Sequence, residues 1–264
     1  MPVEDLSRLT DPDLIDKRLK GIQEIEYVWG YFHSWLRYIP DTYWMAVNIF
    51  DRYFAKLKES DTVTEEECYL LARAALFIAA KYLEVMSCNL QTFAFARKES
   101  YSVCALQRCE SQALKKLEFN VYGGCSPWFW LTRGGRRPKE GGGLAESVEN
   151  FLVKLMMRDY RFCQMRPSAV AAVAVYTMSE MGLAELELEK RRDRVLWSRC
   201  EESEVKRGFE MLLEGLRNEE LREDWLYEWY KRKPRKGASE FALRWAKVYG
   251  TGKTCTSSDG AARN

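Results

Sequence analysis

Histidine and cysteine are the side chains from which this chain could most readily build a nucleophile or a metal site. Its 264 residues contain a single histidine, His33, and eight cysteines. A Cys–His or Ser–His nucleophile would have to use His33. That residue lies between Phe32 and Ser34 in an aromatic stretch, where we expect it to pack or to face solvent.

The cysteines show no C-x-x-C pair, which is the spacing from which zinc sites are commonly built. Several of them lie in apolar helical patterns, where a thiol behaves as a small core residue. We therefore expect reduced thiols and no metal site. The eight are Cys68, Cys88, Cys104, Cys109, Cys125, Cys163, Cys200 and Cys255.

Phosphate chemistry would require a glycine-rich loop with a particular ending. Arg133, Arg136, Arg137 and Lys139 lie in or beside the glycine-rich stretch 134–143, where they could hold an anion. The stretch lacks the Lys-Ser/Thr ending of a phosphate-binding loop. With one histidine and no metal or phosphate motif, the sequence predicts no catalytic residue, no cofactor and no enzymatic activity.

Lys81 and Glu110 are two charges among apolar or small residues. One interpretation is that they are solvated side chains at the rim of a core, with their stems packed and their charged ends in water. The other is that they form a charged pair in a partner interface, where apolar neighbours exclude water. The residues alone leave both interpretations open.

The run Lys231-Arg232-Lys233-Pro234-Arg235-Lys236 is strongly basic. Such a run can bind nucleic acid or act as an import signal, but acidic residues precede it and the whole chain carries a net charge of only +2. A dedicated nucleic-acid binder usually has a stronger basic bias. We therefore interpret the run as a solvated loop and expect no direct contact with nucleic acid.

The elements that position these residues are predicted to be helices throughout. Apolar residues recur at three- and four-residue steps from residue 14 to residue 29, behind a start signal at Asp11 and Pro12. Thr64 and Glu67 have the spacing of a capping box. No segment alternates with a period of two between turn signals, so no strand is expected. No stretch approaches the ~20 apolar residues that a membrane helix requires.

Two alanine-rich segments, residues 72–80 and 169–174, suggest that one helical bundle occurs twice. The glycines and proline of residues 123–127 break the pattern between them. We predict an all-α fold of two tandem five-helix bundles, with a first domain over residues 1–126 and a second over residues 127–249. Residues 250–264 are small and polar and are expected to be a disordered tail.

Three segments in order resemble the cyclin box. Residues 45–54 read MAVNIFDRYF, residues 79–84 read AAKYLE, and residues 114–121 read LKKLEFNV. They are similar to the second, third and fifth helices of that repeat. Residues 166–169 and the stretch from 229 to 239 resemble the second repeat and the closing segment of mitotic A- and B-type cyclins. The resemblance covers about residues 14–245.

This resemblance implies a regulatory subunit that binds and activates a cyclin-dependent serine/threonine kinase as a heterodimer and so controls cell-cycle progression. It also implies a location in nucleus and cytoplasm, with no membrane partner. Lys81 and Glu110 match the charged pair that holds the kinase near its mobile αC helix. The family's apolar contacts around that pair match Ile78, Tyr82, Leu114, Phe119 and Val121.

The sequence of this chain departs from the family pattern in the first helix. Where the family carries a Met-Arg-Ala-Ile-Leu patch that docks substrates, this chain reads Gly21-Ile22-Gln23-Glu24-Ile25. A substrate-docking groove is therefore not expected. Two alternatives remain open at this point. One is a transcriptional cyclin, and the other is a nucleic-acid-binding helical repeat like that of B-type transcription initiation factors.

Overall fold

The computed structural model describes residues 11–57, 62–96, 101–133, 143–185, 190 and 194–251. Within these ranges every regular element is a helix and there is no strand, which confirms the predicted all-α class. The α-helices are α1 (Pro12–Leu36), α2 (Pro40–Ala55), α3 (Glu65–Leu83), α4 (Leu90–Ala94), α5 (Val103–Lys116), α6 (Pro127–Arg133), α7 (Leu144–Arg158), α8 (Pro167–Glu180), α9 (Arg194–Trp197), α10 (Glu202–Arg217), α11 (Trp225–Lys231) and α12 (Ala238–Val248). Short 3₁₀ helices cover Tyr160–Phe162, Glu219–Glu223 and Lys233–Arg235.

Helix starts follow the side chains that can satisfy free backbone N–H groups. The Asp11 carboxylate accepts from the N–H of Asp13 at the start of α1. Thr64 and Glu67 form the complete capping box of α3, in which each side chain accepts from the other residue's backbone N–H. Ser102 caps α5. These starts agree with the sequence prediction because capping depends on near neighbours in the chain.

Helix ends were predicted less well. The sequence pattern extends α3 to about residue 85 and α5 to about residue 119, whereas the helices end at Leu83 and Lys116. Glu84 adopts an extended backbone conformation with ψ of 137°. Glu118 and Phe119 both have positive φ, which no helical residue can have. Apolar residues continue past these points, but Val85, Met86 and Phe119 are exposed and do not belong to the core.

The chain forms two compact units. One contains Met1–Leu131 together with Met157–Ser168, and the other contains Thr132–Met156 together with Ala169–Asn264. The predicted boundary after residue 126 stays a prediction. Most of the predicted tail and of the glycine-rich stretch lies outside the described residues.

The centre of the first unit is α3, which packs against α1, α2 and α5. Every residue of α3 from position 71 to position 80 is buried. Five of these ten residues are alanine. Because alanine side chains are small, neighbouring helix axes can approach α3 from several sides. The alanine-rich sequence thus indicated the central helix correctly.

The second unit has its own alanine-rich helix, α8, with residues 168–175 buried. Aromatic rings fill the space around the unit's helices. The rings of Phe151 in α7 and Tyr230 in α11 lie 5.5 Å apart, and the ring of Phe209 in α10 contacts those of Tyr176 and Trp245. Buried aromatic pairs of this kind add to the apolar area that a small bundle removes from water.

The basic run 231–236 is the part of the second unit that differs from its prediction. It forms the end of α11 and the 3₁₀ helix Lys233–Arg235 instead of an open loop. Arg235 lies half-buried against the ring of Trp229, which the sequence pattern of charges does not reveal. Among all described helices, none is long and apolar enough to cross a membrane.

Candidate functional site

The side chains of Lys81 and Glu110 meet at the surface of the first unit. The Lys81 ammonium donates a hydrogen bond to Oε1 of Glu110, and Lys81 Nζ also lies 4.5 Å from the ring centroid of Phe77. The Lys81 side chain is 45% exposed and the Glu110 side chain is 11% exposed. The two predicted site residues are therefore in direct contact, although 29 positions separate them in the chain.

Their helices hold this pair in place by burying the residues around it. Lys81 occupies the last turn of α3, directly after the buried Ala79 and Ala80, where a positive charge also suits the negative end of the helix. Helix α5 is anchored by Leu106 and Ala113, which are fully buried on either side of Glu110 along the helix. The carboxylate is thus fixed by the core, while the lysine extends from it.

An ion pair with one exposed partner contributes little to folding, typically about 0–1 kcal/mol. The Lys81 ammonium carries three N–H donors, and nearly half of its side chain remains open to solvent. Its free donors can bind a carboxylate or carbonyl oxygen of a second protein without breaking the contact with Glu110. This geometry suits recognition better than it suits stabilisation.

Two exposed aromatic residues lie on the chain segments that carry the pair, one at the end of α3 and one just after α5. Tyr82 follows Lys81 and is 54% exposed, and Phe119 is 69% exposed. The backbone N–H of Phe119 donates to the carbonyl of Leu114, one helical turn beyond Glu110, at 2.8 Å. We call Lys81, Tyr82, Glu110 and Phe119 the α3–α5 patch. Exposed aromatic rings around a partly desolvated charged pair are typical of the centre of a protein interface.

The other predicted contacts differ in exposure. Ile78 is only 4% exposed, so it supports the patch from within the core. Leu114 and Val121 are half-buried. The structure brings Lys81 and Glu110 into contact and shows that the seven predicted residues range from buried to exposed. Their role in kinase contact stays a prediction.

The turn after α5 keeps Phe119 at the surface. Glu118 and Phe119 have φ of 53° and 58°, a left-handed conformation that costs a residue other than glycine roughly 1–2 kcal/mol. The backbone N–H of Val121 donates to the carbonyl of Phe119 at 3.1 Å. Strained backbone of this kind is found at binding sites, where its cost is offset by the surrounding structure.

A second link, which sequence reasoning missed, fixes the end of α3. The Glu84 carboxylate accepts from the N–H of Ile39 at 2.9 Å and from the hydroxyl of Thr42, and so caps the start of α2. Burial raises the pKa of Glu84 despite these hydrogen bonds. Directly after it, Val85 and Met86 are almost fully exposed. The end of α3 is thus held by α2 and is followed by further apolar surface.

Buried ion pairs form a separate cluster in the same unit. Arg18 in α1 donates to both carboxylate oxygens of Asp51 at 2.8 and 2.9 Å, and to the backbone carbonyls of Met157 and Arg158 at 3.0 and 2.8 Å. The Arg158 guanidinium pairs with Glu26, at 2.8 Å between Nε and Oε2. These contacts connect α1, α2 and the end of α7. None was predicted from the sequence.

The Glu26 carboxylate also accepts from the hydroxyl of Tyr43 at 2.9 Å. Tyr43 is fully buried. Burial, together with the nearby Glu26 carboxylate, raises the pKa of Tyr43 well above its ordinary value. The phenol therefore stays protonated and acts as a fixed donor within this cluster.

A third buried pair joins Glu24 to Arg73, at 2.7 Å between Oε1 and Nε. Arg73 also donates to the carbonyl of Ala94 at 2.9 Å, and its guanidinium lies 4.6 Å from the ring centroid of Tyr101. These contacts hold α1, α3 and α4 together. The charge of Glu24 is therefore part of the core and is not presented at the surface.

The structure changes the interpretation of residues 21–25. Gly21, Ile22, Glu24 and Ile25 are buried, and Gln23 is half-buried. A Cβ atom on Gly21 would lie 2.2 Å from the ring of Phe50, so this glycine permits close packing of α1 on α2. The stretch matched to a docking patch is core, and its buried residues cannot line a surface groove.

His33 takes a packing role. Its Nδ1 lies 2.7 Å from the carbonyl oxygen of Tyr38, and its ring stacks on Trp29 with centroids 4.5 Å apart. Burial raises the pKa of Cys68 to about 11 and that of Cys109 to about 12, so neither thiol is an activated nucleophile. Among the described residues, no three His, Cys, Asp or Glu side chains are grouped closely enough to hold a metal ion.

Two models of one protein family match the chain. The model described as the cyclin N-terminal domain matches residues 31–122, and that described as the cyclin C-terminal domain matches residues 137–242. The α3–α5 patch lies within the first match. Arg158, which pairs with Glu26, and the basic run 231–236 lie within the second match.

Similar curated proteins are named as mitotic and A-type cyclins. G2/mitotic-specific cyclin-B of Emericella nidulans is 27% identical over 254 residues, covering 93% of this chain and 50% of that protein. Cyclin-A2-4 of Arabidopsis thaliana is 27% identical, covering 66% of this chain and 39% of that protein. G2/mitotic-specific cyclin cdc13 of Schizosaccharomyces pombe is 32% identical, covering 56% of this chain and 30% of that protein. The chain thus spans half or less of the length of these relatives.

A solved structure shares the fold. The viral cyclin from herpesvirus saimiri superimposes with a TM-score of 0.62 and is 13% identical in sequence. The match covers 76% of this chain and 84% of that one. At this identity the likeness concerns the fold alone, and it agrees with two tandem helical repeats.

Proposed function

This chain belongs to the cyclin family, and from that premise we propose that it binds a cyclin-dependent serine/threonine kinase and activates it. The observation that carries the proposal is the Lys81–Glu110 pair of the α3–α5 patch, in which a half-exposed lysine is held by a largely buried glutamate. The family-level resemblance assigns kinase contact to these same residues.

Activation follows from how a protein kinase becomes competent. Its αC helix must move inward so that a glutamate on it pairs with the lysine that grips ATP phosphates. A rigid helical surface that binds only the inward position of αC shifts the kinase toward the active state by the difference between its two affinities. The anchoring of α3 and α5 supplies that rigidity, because both helices bury the residues on either side of Lys81 and Glu110.

The difference in binding free energy that activation requires can be compared with the contributions of interface residues. Converting a kinase population from mostly inactive to mostly active takes about 5.5 kcal/mol of differential binding. Interface hot spots contribute about 2–4 kcal/mol each when truncated. The residues that we expect to contribute most to this difference are Tyr82, Phe119 and the charged pair.

In this role the chain contributes no catalytic residue of its own and acts in cell-cycle control, in the nucleus and the cytoplasm. The names of the mitotic relatives support the cell-cycle role. Among the described residues, no specific contact favours the two alternative functions, which are those of a transcriptional cyclin and of a nucleic-acid-binding helical repeat.

The test begins with purification of the chain from its native cell and identification of the co-purifying kinase. Titration calorimetry then compares the wild type with Lys81→Ala and Glu110→Ala. We expect binding to weaken by about 2–4 kcal/mol, because each change removes one member of a charged pair at the centre of the interface.

The matched control is Lys206→Ala. Lys206 pairs with Glu202 on the exposed face of α10 at 2.7 Å, so it resembles the patch lysine in type and partner but lies in the second unit. Its loss should leave kinase affinity unchanged. Wild-type affinity in both Lys81→Ala and Glu110→Ala would contradict the proposal.

A further inference from the structure

The basic run of the second unit is a folded surface. In the 3₁₀ helix Lys233–Arg235, the backbone N–H of Arg235 donates to the carbonyl of Arg232, and that of Lys236 donates to the carbonyl of Lys233. Arg232 and Arg235 stand three positions apart, at the N-cap and the last residue of this turn.

Both arginines lie against one tryptophan. The Arg235 guanidinium carbon lies 3.8 Å from the ring centroid of Trp229, and that of Arg232 lies 5.8 Å from it. The Trp229 ring is itself stacked on Trp225 at 4.9 Å. A guanidinium stacked on an aromatic face loses little additional freedom when it binds a ligand. We call Arg232 and Arg235 on Trp229 the arginine clamp.

The clamp concentrates positive charge without a carboxylate to balance it. Lys231 pairs with Glu228, but among the described residues Arg232, Lys233, Arg235 and Lys236 form no ion pair. Burial and the neighbouring Arg232 cation lower the pKa of Arg235. Two cations held together and partly desolvated repel each other, and a bound anion would relieve that repulsion.

The run is not an extended segment. Arg235 is packed on Trp229, and its backbone N–H is hydrogen-bonded within a 3₁₀ turn. The positive charges therefore form a surface of fixed shape.

A long polyanion also fits this surface poorly. Trp229 and Tyr230 are 9% and 5% exposed, so they offer no free ring on which a nucleotide base could stack. The carboxylates of Glu228 and Glu240 act on the neighbouring Lys231 and would repel a continuous phosphate backbone. The positive surface is therefore short and suits a single multiply charged group.

We propose that the arginine clamp, with Lys233 and Lys236 beside it, binds a phosphorylated serine or threonine on a short peptide segment. A phosphate dianion can accept from two guanidinium groups at once, which is the strongest type of hydrogen bond that arginine forms. That the source is a phosphopeptide rests on the proposed function, since a serine/threonine kinase bound to the same chain would generate such segments.

The test uses the full chain without a kinase, so that its result is independent of the α3–α5 patch. The probe is a fluorescent glycine–serine peptide that carries one phosphothreonine, and binding is followed by fluorescence anisotropy. The same peptide with an unmodified threonine and a DNA duplex serve as comparison probes. We expect the phosphopeptide to bind, and the unmodified peptide and the duplex to bind at least about tenfold more weakly.

Variants then locate the site. Arg232→Gln/Lys233→Gln/Lys236→Gln leaves the stacked Arg235 in place, so the fold is retained, and it should weaken phosphopeptide binding about tenfold or more. Arg235→Lys keeps the charge but not the planar stack, and should weaken binding as well. The control Arg207→Gln/Arg244→Gln removes exposed charges elsewhere in the unit and should change little.

Several results would overturn the proposal. These are absence of phosphopeptide binding by the wild type, equal binding by the triple variant, or equal loss in the control variant. Duplex binding that matches phosphopeptide binding and depends on the same residues would assign the surface to nucleic acid instead. None of these outcomes affects kinase binding, which is measured separately through Lys81 and Glu110.

Discussion

Two sets of ion pairs in the first unit use the same chemistry in opposite surroundings. Arg18–Asp51 and Glu24–Arg73 have side chains between 1% and 11% exposed, and each arginine also donates to backbone carbonyls. The lysine of the Lys81–Glu110 pair is 45% exposed. The buried pairs determine which helices meet, whereas the surface pair leaves donors for a partner.

This difference has an energetic consequence. Removal of one member of a buried pair leaves an uncompensated charge in the core and costs about 3–5 kcal/mol. Removal of one member of an exposed pair costs about 0–1 kcal/mol. Mutations in the first set should therefore lower the stability of the chain, whereas Lys81→Ala, which removes the exposed member of the second set, should lower affinity with little loss of stability.

The largest expected effect is that of Arg18→Ala. This change removes all four hydrogen bonds of the Arg18 side chain and leaves Asp51 buried without its cation. We expect the free energy of unfolding to fall by about 3–5 kcal/mol. Urea unfolding followed by circular dichroism measures it, with Lys81→Ala as the exposed counterpart. Equal losses in the two variants would remove the distinction between buried and exposed pairs.

A smaller effect should come from replacement of a whole buried pair. Glu24→Leu alone leaves the Arg73 cation in the core without its carboxylate. Addition of Arg73→Met removes that charge and should restore about 1–4 kcal/mol of the lost stability. Recovery will be incomplete because Arg73 also donates to the carbonyl of Ala94. If the double variant were less stable than Glu24→Leu, Arg73 would stabilise the core through Ala94 and Tyr101 even without Glu24, and the predicted recovery would be wrong.

The smallest effect concerns the pH dependence of Glu84, which links α2 to the end of α3. Burial raises its pKa above 4.5 in the folded chain, so the folded state holds this proton to higher pH than the unfolded state does. The contribution of Glu84 to stability therefore grows as pH falls toward 4.5 and is lost as pH rises through the folded pKa.

Glu84→Gln removes this titration and keeps an oxygen that can accept from Ile39 and Thr42. Unfolding measured between pH 4 and pH 7 should show the wild type gaining on the variant as pH falls. Solvent screening limits the difference to about a few tenths of a kcal/mol. A wild type that loses stability relative to Glu84→Gln on acidification would show that the pKa is lowered on folding.

Local signals made the fold predictable from the sequence to a large extent. Asp11 and Thr64 begin their helices as expected, since a cap and its N–H group lie within three residues. Helix ends were overestimated because apolar periodicity says little about where the backbone turns. The contact between Lys81 and Glu110 followed from the resemblance to a known repeat, and not from their spacing alone.

The missed residues share a physical reason. Arg158 and Glu26 are 132 positions apart, and no periodicity or motif in either segment indicates that they are partners. Arg235 is only six positions from Trp229, but its stacking depends on a 3₁₀ turn that charge patterning does not predict. In both cases the sequence identifies a charged residue, but only the folded structure shows which residue it contacts and how far it is buried.

By itself, the sequence determined the helical class, the repeated alanine-rich helices and most helix starts, because these depend on near neighbours and on apolar period. Tertiary structure alone decided that Glu24 belongs to the core, that Phe119 faces outward and that the basic run is folded. These properties follow from distant parts of the chain coming together, which changes the exposure of a side chain without changing its type.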